Sequence, residues 1–190
     1  MQSGSYSTGE RAMQRQLIQM VAGWFLLAGL LYLGHIPQVL WAAQIKEAKK
    51  YTEQLKSART SKDKVTALQE LGRLAAIQKA LVSDALPDIY KALNDPDPEV
   101  RGAAAHCLGQ CDEPADKAVP LLHNILKDEK QPAVVRIGAA RGLAAMGAQA
   151  KVALPTLRSI AKNADKKDRL GKEAQLAAKA ITSLLKSSNK

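Results

Sequence analysis

The chain has 190 residues, of which 46% are hydrophobic and only 4% aromatic, and 28 basic against 18 acidic residues give a formal net charge of +10. That length holds one or two small domains. An apolar set rich in Ala and Leu suits close helix packing better than a β-sandwich. Two cysteines, Cys107 and Cys111, are too few for a disulfide scaffold, and the basic balance favours acidic partners over cationic ones.

In chain order, residues 1–15 read as a tail. From Gln16 to Ile45 there is no Asp, Glu, Lys or Arg. Its densest part, Leu17 to Ile36, has the length that crosses a hydrocarbon core of about 30 Å. Tyr32 and Trp41 fall where rings favour the interface, and Pro37 marks an exit or a kink. An uncleaved transmembrane anchor over 16–45 is the favoured reading. A cleavable signal peptide and a buried core helix are the alternatives; bulky Trp41 two residues before Ala43 weighs against cleavage. Arg11 and Arg15 on one flank face Lys46, Lys49, Lys50, Lys56 and Arg59 on the other, which predicts a cytoplasmic C-terminal domain. Residues 46–62 lack Gly and Pro and predict a helical stalk, with Ile45, Ala48, Thr52 and Leu55 as a weak apolar stripe. The stalk either continues the anchor or packs on the first repeat.

Residues 63–190 repeat a phrase. ALPDIYKALND, AVPLLHNILKD and ALPTLRSIAKN place Pro87, Pro120 and Pro155 at intervals of 33 and 35 residues. A period in that range with helical patterning predicts an α-solenoid. Each proline opens a second helix, where its missing N–H is harmless. Ile89, Leu122 and Leu157 then share a face with Ala92, Ile125 and Ile160. Among the first helices Val100-Arg101 recurs as Val135-Arg136, Ala104 as Ala139 and Leu108 as Leu143, with small residues that let neighbours approach. Gly72 lies 15 residues before Pro87 whereas Gly109 lies 11 before Pro120, so the first repeat carries an insertion or a different register. A last helix with Leu176, Ala177, Ala180, Ile181 and Leu184 on its face reads as a capping half-repeat.

DPDPEVRGAAAHCLGQ and QPAVVRIGAARGLAAMG resemble HEAT repeats, in particular the short bacterial type named after phycobilisome lyases. Asp95, Pro98, Val100, Arg101, Ala104, Leu108 and Gly109 fit the pattern. Asp128, Val135, Arg136, Ala139 and Leu143 fit it again, with Ala144 in place of the glycine. The resemblance covers about residues 61–187. It implies an Asp–Arg ladder between repeats, and hence structural roles for Arg101 and Arg136.

No GxSxG, GxxxxGKS/T or HExxH motif is present, and neither catalysis nor a cofactor or metal is expected. Cys107 and Cys111 align with Gly142 and Met146 at core positions, so small buried hydrophobes are expected rather than zinc ligands. What varies between repeats is a polar row on the second helices: Tyr90, His123 and Arg158; Lys91, Asn124 and Ser159; Asn94, Lys127 and Lys162. If those helices line the concave side, the row faces a partner with an acidic surface. The expectation is therefore an all-α, short HEAT-like solenoid behind a transmembrane helix and stalk, acting as a scaffold or adaptor at a membrane. A basic binder of anionic lipid or nucleic acid is the alternative, as is a pigment-lyase-like accessory protein; scarce aromatics weigh against nucleic acid.

Overall fold

Thr60 opens the first long helix of the repeats. Its hydroxyl accepts the Asp63 N–H at 3.1 Å, filling one of the donors that a helix start leaves unpaired. The computed structural model describes residues 41–111, 114–165 and 167–187. Residues 41–57 are helical (α1), followed by α2 (Ser61–Ile77), α3 (Leu86–Ala92) and α4 (Pro98–Gln110). Then come α5 (Ala115–Lys127), α6 (Ala133–Met146), α7 (Leu154–Asn163) and α8 (Arg169–Ser187). No strand occurs among the described residues.

The turn between repeats is built by its aspartates. Asp95 Oδ1 accepts the Asp97 N–H at 3.0 Å, and Asp97 Oδ1 accepts the Glu99 N–H at 2.8 Å, capping α4 with Pro98 in its first turn. Asp168 caps α8 in the same way through the Leu170 N–H at 3.0 Å.

Two of the three prolines open their helices: Pro87 and Pro155 sit in the first turn of α3 and α7. Pro120 does not. It lies inside α5, which starts at Ala115. The difference is absorbed just upstream. The first and third repeats enter their second helices through 3-10 segments, Lys79–Ala85 and Gly147–Ala153. The first of these takes up the extra spacing between Gly72 and Pro87. The second starts at Gly147, which ends α6 at φ +61°, a conformation that side chains with a Cβ disfavour.

Helices α2, α4, α6 and α8 stack in succession as the first helices of the repeats, and α3, α5 and α7 each pack chiefly on the first helix that follows. The first helices meet at backbone distance. A Cβ on Gly138 would run into the Gly102 carbonyl, one on Gly109 into Gly142, and one on Gly102 would stand 2.8 Å from the Val134 carbonyl oxygen. The core runs continuously along the stack through Leu68, Leu71, Ile89, Leu108, Leu122, Leu143, Leu157 and Ile181, all fully buried. Ala48, Thr52 and Leu55 of α1 are buried as well, and Ala48 and Leu55 belong to that core.

Arg101 and Arg136 have structural roles, but not as rungs of an aspartate–arginine ladder. Arg101 donates through Nη1 to the carbonyls of Asp95 (2.8 Å) and Pro96 (3.0 Å), and Arg136 donates through Nε to Leu126 O at 2.9 Å. Each guanidinium thus satisfies carbonyls at or just past the end of the preceding helix. The Asp95 carboxylate pairs instead with Lys64 at 2.6 Å. Burial alone would raise the Asp95 carboxyl, but Lys64 and the Asp97 N–H hold it below its ordinary range.

The tail 1–15 and residues 16–40 of the expected anchor lie outside the described residues. Among the described residues no helix is long and apolar enough to cross a membrane. The apolar face expected of α8 also needs revision. Ala177 and Ile181 are buried, but Leu176 and Leu184 are 60% and 47% exposed, because α6 and α7 cover only one side of this last helix.

Candidate functional site

The polar row divides into parts with different surroundings. On α3, Tyr90 is partly buried against the core, while Lys91 is exposed. Lys91 lines a small cleft of about 160 Å³ with Lys64, Asp88 and Asp95, where charges of both signs meet. Asn94 is exposed in the turn after α3. On α5, Asn124 and Lys127 are exposed, but His123 is half-buried and its Nε2 lies 2.8 Å from Thr156 Oγ1, tying α5 to α7. On α7, Arg158, Ser159 and Lys162 are exposed.

A groove of about 570 Å³ lies between α7 and α8. Arg158 and Lys162 form one wall; Lys179 and Lys186, with Gln175, Thr182 and Ser183, form the other; Ala161 and Ala178 are the apolar lining. Arg158 Nη2 reaches Thr182 Oγ1 at 3.4 Å, and Thr182 donates to Ala178 O at 2.7 Å. Among the described residues no carboxylate lines the groove. The α8 residues were missed because the repeat alignment has no partner for that helix. The signal was present nonetheless: Lys179 and Lys186 are seven residues apart, two turns along one face.

The cysteines are in the core. Cys107 and Cys111 are 1% and 3% exposed, and Cys111 Sγ donates to Cys107 O at 3.1 Å. The neighbouring Cys111 thiol, followed by burial, pushes the Cys107 thiol well up, which keeps it protonated and unreactive. Among the described residues no cluster of three or more His, Cys, Asp or Glu has the arrangement of a metal site.

The two histidines of the repeats make stability depend on pH. Burial pushes the His123 imidazole below its usual range, and Lys127 adds to the shift. Burial and then Arg141 lower His106, against a smaller upward pull from Glu173. The unfolded chain therefore binds more protons than the folded one as pH falls through about 6.5, and stability present above that pH is lost below it. The melting temperature should fall between about pH 7 and about pH 5. A His106→Gln/His123→Gln variant should show a smaller fall; an unchanged slope would place the titrating groups elsewhere.

Comparison with known proteins fits this architecture. The family model described as HEAT repeats matches residues 48–119 and 86–178, together more than half of the chain. No curated protein matches the sequence. Among solved structures, that of human deoxyhypusine hydroxylase in complex with glycerol is similar, with a TM-score of 0.52 and 22% identity. The match covers 80% of this chain and 49% of that one, so the chain spans about half the length of the enzyme it resembles. At that identity the likeness is one of fold. With the stacked helix pairs, the glycine-lined first-helix contacts and the matched repeats, the chain belongs to the HEAT-repeat family.

Proposed function

We propose that this chain is a non-catalytic scaffold or adaptor that holds a protein partner with an acidic surface. The observation that carries the reading is the run of exposed cations on successive second helices, Lys91, Lys127, Arg158 and Lys162, on a repeat fold whose stacked helices present long surfaces. The charge-free stretch from Gln16 to Ile45 supports attachment to a membrane, as an accessory subunit of a membrane complex with the repeats on the cytoplasmic side. The short-repeat pattern of Asp95 to Gly109 supports kinship with the phycobilisome-lyase type of repeat. Its pigment chemistry gains no support from any residue set.

The test is affinity capture from membranes in mild detergent, comparing wild type with Lys91→Glu/Lys127→Glu/Lys162→Glu. The variant should lose the protein that wild type captures; equal capture would move the site off this row. A formal charge of +10 keeps anionic lipid or nucleic acid as the competing class of ligand. Binding of that kind would show as retention on anionic vesicles or an oligonucleotide that collapses with salt. Protease protection of a C-terminal tag in sealed vesicles tests the orientation.

A further inference from the structure

We propose that an acidic amphipathic helix of the partner protein docks in the groove between α7 and α8. The inference rests on the reading of the chain as an acidic-protein binder and assigns that binding a place.

The apolar lining of the groove is Ala161 of α7 and Ala178 of α8, small enough for a helix to approach closely, between cationic walls. One repeat earlier, a residue at the position of Arg158 reaches across between second helices: His123 of α5, three residues after Pro120, meets Thr156 of α7 at 2.8 Å.

The chemistry of the walls selects the occupant. Arg158, Lys162, Lys179 and Lys186 have no ion-pair partner among the described residues, and no carboxylate lines the groove. Lys179 and Lys186 are separated by about 10 Å along α8. Carboxylates at positions i, i+4 and i+7 of a docked helix span the same length, with its small apolar residues turned to the alanines. The chain's own first 40 residues do not fit, since Glu10 is their single acid and Arg11 and Arg15 follow it. A second copy, also at +10, is repelled by its charge. The lining contains no aromatic ring on which a nucleobase would stack.

The experiment is fluorescence anisotropy of the full chain in mild detergent with a labelled helical peptide. The peptide carries Glu at i, i+4 and i+7 of each repeat and Ala on the opposing face; a control of equal length and charge has a proline in place of its central Ala. Wild type should bind the helical peptide and bind the control more weakly by about tenfold, as expected where a preformed helix is recognised. Lys179→Glu/Lys186→Glu should weaken binding by about tenfold or more, while Lys117→Glu/Lys130→Glu, the same charge change at exposed lysines outside the row and the groove, should change it by less than about twofold. Circular dichroism should be the same for all, because these side chains are exposed. Equal loss in the Lys117/Lys130 variant would overturn the groove, because net charge alone would then set the affinity. Loss in neither, or no binding by wild type, would overturn the groove; capture by Lys91→Glu/Lys127→Glu, neither of which lines the groove, then decides the wider reading separately. Equal affinity for the proline control would overturn the helix. Tighter binding of a single-stranded oligonucleotide, lost in the same Lys179/Lys186 variant, would overturn the acidic-protein ligand.

Discussion

Replacing Gly138 with leucine should prevent the repeats from folding, and Gly138→Ala should lower the melting temperature by about 5–10 °C. The reason is distance. At Gly138 a single added carbon lands on the carbonyl and Cα of Gly102, and backbone cannot swing aside as a side chain does. Helices α4 and α6 would have to separate, and the separation would spread along both helices to Gly109 and Gly142, which meet in the same way. Overpacking a tight core costs about 1–3 kcal/mol for small insertions. Leucine adds several more carbons at a contact with no slack. Ala145 of α6, which is exposed, is the control, and its change to leucine should stay within about 0.5 kcal/mol. Thermal melts followed by circular dichroism read all three. A Gly138→Leu protein as stable as wild type would mean that the first helices do not meet at this distance in solution.

The close approach was legible because the repeat put Gly138 beside Ala139 and Ala103 beside Ala104, and small residues at matched positions have few other uses. Burial of Cys107 and Cys111 followed from the same alignment, since Gly142 and Met146 fixed the environment they share. Other features were hidden because repetition cannot encode them. The 3-10 segments before Pro87 and Pro155 differ from the helical approach to Pro120, although all three prolines stand in one phrase. The local chain upstream decides how each is reached. Arg101 bonds to carbonyls rather than to the Asp95 carboxylate because Lys64, 31 residues earlier, takes that carboxylate first. Tyr90 and His123, variable in sequence and so read as contact residues, are half-buried; His123 is held by Thr156. The basic wall on α8 could not be reached by aligning repeats, because Lys179 and Lys186 match no position in the three aligned phrases.

Two cavity-forming variants of similar size should fail in different ways. Leu143 of α6 and Ile181 of α8 are both completely buried, and truncating either to alanine removes packing worth about 2–5 kcal/mol. In a stack stabilised by nearest-neighbour interfaces, the position decides what is lost. Leu143 is on α6, which packs against both α4 and α8, so Leu143→Ala should lower the stability of the whole stack and speed amide exchange throughout α4 and α6. Ile181 is on α8, the last described helix, which is packed by α6, α7 and the Gly147–Ala153 segment and leaves Leu176 and Leu184 exposed. Ile181→Ala should therefore let α8 open locally, with rapid exchange at Arg169–Ser187, while α4 keeps its protection. Exchange that rises equally in both helices would mean that the unit melts as one and that the end helix is not separable. The distinction reaches function through Lys179, Thr182 and Lys186, which ride on α8 while Ile181 anchors it. A partner helix bound across α7 and α8 would add packing to α8, so acidic peptide should slow exchange in α8 more than anywhere else.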